Sequence, residues 1–233
     1  SSLSTSFKKI SKIFKPNLII VNSKNSETFF QSINYETKFL PNGVDTKKFM
    51  PITNETKNQL RKKYNIDQNE FVILHVGPLM KGRNQRVLLN INDVRILLVL
   101  SLTNKSDDIE IKKLNQKNVT ILREYFPNIE EIYQLSDAYV FPIFEGFHSI
   151  ETPLSVLEAL SCNLPVITSR YGGGLEKILH QGEGLIFVDN FEQINDSILK
   201  LKSTNICNTR KKVEKFTWSE IAEKIMKEYE KLL

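Results

Sequence analysis

Apolar and polar positions alternate in blocks along this chain, and the block lengths change from one segment to the next. Six short runs are almost wholly apolar: 71–76 (FVILHV), 95–100 (RILLVL), 118–122 (NVTIL), 138–141 (AYVF), 165–169 (PVITS) and 185–188 (LIFV). Runs this short with no polar face predict strands covered on both sides. Between several of them apolar residues return at helical spacing, notably over 109–116, 129–135 and 154–161. Strands alternating with helices predict an α/β fold, a Rossmann-like doubly wound parallel sheet of about six strands. Ligands of such sheets sit beyond the carboxyl ends of the strands.

The flanking segments are patterned differently. LIIVNS (18–23) predicts a further buried strand, and 26–32 a short helix. In KFLPNGVDTKKFMP, Leu40-Pro41 predicts extended chain and Asn42-Gly43 a tight turn. Residues 55–64 predict a helix rich in Lys and Arg, and 191–201 another. TWSE at 217–220 supplies a helix start, with Thr217 as N-cap and Glu220 as its capping-box partner. Ile221, Ile225, Tyr229 and Leu232 then mark the apolar stripe of a last helix. FKKISKIFK (7–15) predicts a basic amphipathic helix, suited to packing on a domain and compatible with a peripheral membrane contact.

Composition narrows the class. With 233 residues, 40% hydrophobic and 25% charged, the chain has the size and make-up of a globular domain, or of one domain plus a fragment. No apolar run approaches the roughly 20 residues of a membrane span. The net charge of +5 is compatible with anionic ligands. The lysines are dispersed without an aromatic platform, which argues against nucleic-acid binding. Cys162 and Cys207 have neither metal-ligand spacing nor a disulfide framework. A reducing, cytoplasmic location fits. His75, His148 and His180 are too scattered for a metal site, and none is expected.

Three segments carry candidate chemistry. GPLMKG (77–82) follows the first strand of the alternating series. Gly77 admits a close backbone approach, Lys81 offers a mobile positive charge, and Arg83 lies two residues on. Phosphate binding and a plain strand–helix turn are both open for it. In FPIFEGFHSIETPLSVLEALSCNLPV (141–166), Thr152 can cap a helix with Pro153 at its first position. Glu158 falls mid-helix, either solvated or accepting two hydroxyls of a ribose, and Glu145 and Glu151 precede it. In SRYGGGLEKIL (169–179), Gly172, Gly173 and Gly174 fit either a ligand approached by backbone or a surface turn.

These pieces, in this order, resemble the retaining group 1 glycosyltransferases (family 4), whose GT-B fold pairs two Rossmann-like domains. LPNGVDTKKFMP resembles the segment joining the domains. FVILHVGPLMKG resembles the first strand and phosphate loop of the donor domain. EGFHSIETPLSVLEALSCNLPVITSRYGGGLEKI resembles the donor-binding stretch, and GEGLIFVDN (182–190) the strand after it. The resemblance runs over about 16–233.

The resemblance implies a C-terminal donor-binding domain, one half of the GT-B fold. Residues 1–35 would be the remnant of an N-terminal acceptor domain, 36–50 the segment between domains, 51–215 the nucleotide-sugar domain and 216–233 the helix that crosses back. It implies transfer of a sugar, with retention, from a nucleoside diphosphate sugar to a sugar, lipid-linked or polysaccharide acceptor, without a cofactor. The fragment alone, lacking most of the acceptor domain, is expected to be inactive. Lys81 would hold the diphosphate and act on the leaving group, and Gly77 and Arg83 belong to the same loop. Glu158 would hold the ribose. Glu145, with Gly146 and Phe147, would meet the sugar, Glu151 being the rival for that contact. Gly173 and Gly174 would lie near the pyrophosphate.

Two departures stand out. Pro78 occupies the position where the family usually has Arg, and the family has about two more residues before its lysine. The family's two glutamates stand eight apart, yet eight before Glu158 is Ile150. The first departure keeps open an alternative, a non-catalytic sugar-nucleotide-binding or assembly subunit of the same fold.

Overall fold

The structure, a computed structural model, describes residues 16–80, 82–101, 108–114, 118–144, 149–204 and 207–233. Residues 7–15, with the expected basic helix, lie outside these.

The alternating strand–helix series folds as its pattern predicts. The strands are β3 (Val72–Val76), β4 (Arg95–Val99), β5 (Val119–Leu122), β6 (Ala138–Phe141), β7 (Val166–Ser169) and β8 (Leu185–Val188). They form one parallel sheet in the order β5-β4-β3-β6-β7-β8. The order reverses between β3 and β6, which makes the gap at their carboxyl ends the topological switch point.

Side chains alternate between the two faces along each strand. Val72, Leu74, Leu97, Val99, Tyr139 and Phe141 join a core on one face. That face is covered by α4 (Glu130–Leu135) and α5 (Leu154–Ser161), with Leu60 of α2 (Asn54–Lys63) packed against it. Ile73, Ile96, Leu98, Val140 and Ile167 join the core on the other face, with Leu114 of α3 (Asp108–Leu114) and Ile194 and Ile198 of α7 (Glu192–Ser203). Each fully buried Leu, Ile or Val contributes about 1.5–3 kcal/mol, against about 0–1 kcal/mol for an exposed ion pair, so the two apolar layers hold the sheet.

One polar cluster is buried within this frame. Arg61, 4% exposed, comes from the basic helix α2. Its guanidinium donates to the carbonyls of Leu135, Gln68 and Glu70 at 2.9–3.0 Å and to Asp137 Oδ2 at 2.5 Å. Lys57 Nζ donates to Asp137 Oδ1 at 2.7 Å, and the Val72 amide to Oδ2 at 2.7 Å. The cluster fixes α2 to the amino ends of β3 and β6.

Ahead of the sheet lies a βαβ unit: β1 (Ile19–Val21), α1 (Lys24–Ser32) and β2 (Thr37–Phe39), the strands pairing in parallel. Ser23 caps α1, its Oγ accepting from the Ser26 amide at 3.1 Å. The expected tight turn at Asn42-Gly43 does not form. Asn42 Nδ2 instead donates to the Thr152 carbonyl at 2.9 Å, and Gly43 lies so close to Trp218 that a Cβ would sit 2.6 Å from its ring, leaving no room for a side chain.

The chain then passes beside its own end. The Val44 amide donates to the Phe216 carbonyl at 2.8 Å, and Val44 bridges Thr217 in parallel. Thr217 opens α8 (Trp218–Glu230) as expected, its Oγ1 accepting from the Glu220 amide at 3.1 Å. Arg210 binds the carbonyls of Thr46, Phe49 and Ser161 at 2.7–3.1 Å and pins this crossing to α5.

Candidate functional site

The switch point gathers residues from the ends of β3, β6 and β7. After β3 the chain does not enter an α-helix. It turns through Asn84, left-handed at φ 57°, into a single stretch of 3-10 helix, Gln85–Asn90. Among the described residues of this loop no α-helix starts beyond the glycine. Two side chains pin it: Gln85 Nε2 donates to the Pro78 carbonyl at 2.8 Å, and Asn84 Nδ2 to the Pro142 carbonyl at 3.3 Å.

The loop turns Arg83 back over Gly77. A Cβ on Gly77 would sit 2.4 Å from Arg83 Nη1, so the glycine is what admits the guanidinium. Burial lowers the affinity of Arg83 for its proton, and the nearby phenols of Tyr139 and Tyr171 oppose that shift. This places a half-buried cation at the switch point, within the electrostatic reach of β6 and of the loop after β7.

Beneath it, His75 is fully buried. Its Nδ1 lies 2.9 Å from the Val140 carbonyl, which accepts, so Nδ1 carries the proton and Nε2 is left as an acceptor with no partner among the described residues. Burial, with the Arg83 charge adding to it, pushes the His75 pKa down to about 4. Tyr139 stands beside it, the rings 6.3 Å apart. The Tyr139 hydroxyl donates to the Val76 carbonyl at 3.3 Å or to Ser155 Oγ at 2.7 Å.

Ser155 brings α5 into the site. Val156, Leu157, Ala159, Leu160 and Ser161 are buried, while Leu154, Ser155 and Glu158 form the open stripe of the helix. Ser155 and Glu158, three apart, share a face. Since Ser155 touches Tyr139 beside the end of β3, that face looks toward the switch point. Glu158 is half-buried, and its Oε2 accepts from the Tyr133 hydroxyl at 2.7 Å. Burial raises the pKa of Glu158, against lowering contributions from Tyr133 and Lys48.

Glu151 has other partners than a sugar. It is 5% exposed, and its carboxylate lies at the amino end of α1. Oε1 accepts from Ser23 Oγ at 2.7 Å and the Asn25 amide at 3.2 Å, and Oε2 from the Lys24 amide at 2.7 Å. These donors answer an anion at a helix start. Glu151, the rival candidate for the sugar contact, thus caps α1 across the two halves of the chain in this structure. Thr152, expected to cap α5, is also engaged there: its Oγ1 donates to the Asn22 carbonyl at 3.4 Å, and Pro153 takes the cap position.

The glycine run is shaped by that same side chain. A Cβ on Gly172 would meet Glu151 Cγ at 2.4 Å, and one on Gly174 would meet Glu151 Cβ at 2.6 Å. Gly173 faces Lys24, whose Nζ lies 3.5 Å from its Cβ position. Gly77 and Arg83 thus lie together, Arg83 within electrostatic reach of Tyr139 and Tyr171 and Glu158 within reach of Tyr139, while Gly173 and Gly174 lie in the loop after β7 against Lys24 and Glu151. Lys81, Glu145, Gly146 and Phe147, and with them His148, lie outside the described residues. Sequence reading missed Lys24, Tyr133, Tyr139 and Ser155, because only the fold brings them to the candidate residues.

A concavity of about 700 Å³ lies elsewhere, lined by Glu70, Asn92, Arg95 and Asn118 at the amino ends of the strands. Its Arg95 is already held by Glu70 at 3.0 and 3.2 Å. The rule for parallel sheets favours the opposite end.

The profile of the family Glycosyl transferases group 1 matches residues 56–218. An uncharacterized glycosyltransferase of Methanocaldococcus jannaschii is 31% identical over 170 residues, 68% of this chain and 40% of its own length. The UDP-Gal:alpha-D-GlcNAc-diphosphoundecaprenol alpha-1,3-galactosyltransferase of Escherichia coli is 26% identical over 194 residues, 74% of this chain and 47% of its own. Anabaena HepE, solved in complex with UDP and glucose, superposes with a TM-score of 0.78 at 18% identity, covering 95% of this chain and 65% of HepE. The chain spans about half the length of these curated relatives. The parallel strand order and these matches lead to one assignment: the chain belongs to the group 1 glycosyltransferases.

Proposed function

We propose that this chain is the donor-binding part of a retaining glycosyltransferase, and that it binds a nucleoside diphosphate sugar across the carboxyl ends of β3, β6 and β7. The observation that carries this reading is Arg83, folded back over Gly77 at the switch point. It supplies a positive charge in the loop where Pro78 stands in place of the family's usual Arg. Lys81 belongs to the same loop and would share the diphosphate. Glu158 would accept the ribose hydroxyls from α5. Glu145, with Gly146 and Phe147, would meet the sugar, and backbone near Gly173 the pyrophosphate.

In the reaction, an acceptor hydroxyl bonds to the anomeric carbon from the face that the diphosphate leaves. The electron pair of the breaking bond goes to the diphosphate oxygen, and the proton of the acceptor hydroxyl passes to the departing diphosphate. Arg83 and Lys81 would stabilise that growing charge, the largest single contribution available to such a site. The βαβ unit of β1, α1 and β2 reads as the edge of an acceptor domain. The Escherichia coli relative is named for a lipid diphosphate-linked sugar, which supports a lipid-linked saccharide acceptor and a membrane-associated place of action. Among the described residues, no helix is long and apolar enough to cross a membrane.

The test is titration calorimetry of the intact protein against uridine, guanosine and adenosine diphosphate sugars. Binding to one of them, weakened in Arg83→Ala, is the expected result. An intact protein that binds none would sink the reading.

A further inference from the structure

Tyr133 is buried to the last atom, yet it carries a hydroxyl. A buried hydroxyl needs a partner, and here the partner is Glu158 Oε2 at 2.7 Å. The ring is fixed on two sides, edge-on to Phe49 at 5.4 Å and stacked on Tyr139 at 5.9 Å. The donor therefore sits on a rigid mount, whereas Glu158 belongs to the open stripe of α5 and has three side-chain torsions to fix. A free carboxylate there would sample several rotamers and lose entropy on binding a ligand.

We infer that Tyr133 is a positioning residue for donor binding: by holding Oε2, it presents the remaining lone pairs of Glu158 to the ribose 2′- and 3′-hydroxyls. This rests on the ribose role proposed above for Glu158. Two other hydroxyls on this side are placed differently. Tyr139 bonds Ser155 and the Val76 carbonyl, and Tyr64 bonds Glu131. Lys48 faces the carboxylate from the segment between the halves, and Cys162 from the cap position just past α5. Tyr133 and Lys48 both favour the ionised form of Glu158, against its burial. Removing the Tyr133 hydroxyl leaves burial opposed by Lys48 alone, so Glu158 keeps its proton to a higher pH. A protonated carboxyl accepts fewer hydrogen bonds from two hydroxyls.

The experiment is calorimetry on the intact protein with uridine, guanosine and adenosine diphosphates, each beside its 2′,3′-dideoxy analogue. Wild type should prefer the ribose form of the nucleotide that binds, and Glu158→Ala should abolish the preference. Tyr133→Phe should cut it by about tenfold, the worth of one hydrogen bond to a charged group. Affinity for the dideoxy analogue should not change in Tyr133→Phe, and this separates positioning from general loss of structure. Loss of ribose binding on acidification should set in at higher pH in Tyr133→Phe than in wild type. If wild type binds no diphosphate, shows no ribose preference, or keeps it in Glu158→Ala, the ribose role itself fails and the inference falls with it. If Glu158→Ala loses the preference while Tyr133→Phe keeps it in full with an unmoved pH profile, the Tyr133 inference alone is overturned. Equal weakening of both nucleotide forms in Tyr133→Phe would overturn it as well, by assigning the tyrosine to structure only.

Discussion

Glu151 lies so close against Gly172 that a methyl group on Gly172 would sit 2.4 Å from Glu151 Cγ. The backbone at Gly172 also has φ of 64°, which side-chain-bearing residues adopt at a cost. Gly172→Ala therefore faces both strain and collision. We expect it to lower stability by about 2–4 kcal/mol in urea denaturation. Gly182→Ala is the reference, since φ is 111° there but no atom lies within 4 Å. It should cost less. In a Glu151→Ala background, part of the Gly172→Ala penalty should vanish, a coupling of about 1 kcal/mol or more. Strict additivity would show that the contact is not what demands the glycine.

The cap formed by Glu151 on α1 gives a second expectation. The Lys24 and Asn25 amides donate to its carboxylate. Glu151→Gln replaces one acceptor oxygen by an amide nitrogen, which cannot accept from them. Hydrogen exchange at Lys24 or Asn25 should accelerate by about tenfold, the equivalent of roughly 1.4 kcal/mol. Unchanged exchange at both amides would show that Glu151 does not cap α1.

Arg83 and Lys81 are expected to act on the leaving group more than on the resting donor. In the intact protein, Arg83→Ala should lower kcat by roughly 10²–10³ while the donor Kd rises less. Arg83→Lys should recover part of the loss. Lys81→Ala should follow the same pattern, and steady-state kinetics on each variant would show it. Turnover left intact by Lys81→Ala would confine the diphosphate role to Arg83.

His75 predicts a dependence of stability on pH. Burial holds its pKa at about 4, below the ordinary 6.5. Above pH 6.5 the imidazole is neutral in folded and unfolded chain alike and adds no dependence. As the pH falls from 6.5 to 4, the unfolded chain takes up a proton that the folded one refuses. Stability should drop through that window by about 3 kcal/mol in total. Urea midpoints of wild type and His75→Phe, compared across the window, isolate the effect. Parallel curves would mean that His75 is protonated in place.

Asp137 holds two cations and an amide at the amino ends of β3 and β6. Asp137→Ala leaves the buried Arg61 without its counter-charge. Removing one partner of such a pair costs about 3–5 kcal/mol, so this variant should be among the least stable single substitutions here. Thermal melting would check it, and a loss below about 1 kcal/mol would assign the cluster to the solvent-screened class.

The frame was legible because it rests on local pattern. FVILHV, RILLVL and AYVF have no polar face, and only strands buried on both sides can use them. The Thr217 cap was legible for the same reason, since donor and acceptor lie three residues apart. What escaped depends on pairs distant in sequence. Glu151 finds its partners 126–128 residues away, and nothing in SIETP distinguishes a carboxylate that meets a sugar from one that caps a helix. Gly43 resembled a turn because Asn-Gly commonly is one, while its actual neighbour, Trp218, lies near the other end of the chain. Tyr133 looked like core and is core. Only the position of its hydroxyl makes it more than that.

The parallel passage of Val44 beside Thr217 has a mechanical side. The chain enters and leaves the six-stranded unit side by side, so β1, α1 and β2 on one hand and α8 on the other hang from two neighbouring tethers, and Lys38 of β2 pairs with Glu228 of α8 at 2.9 Å. A pull on either tether is therefore felt at the other, as at the two ends of a belt drawn through one buckle.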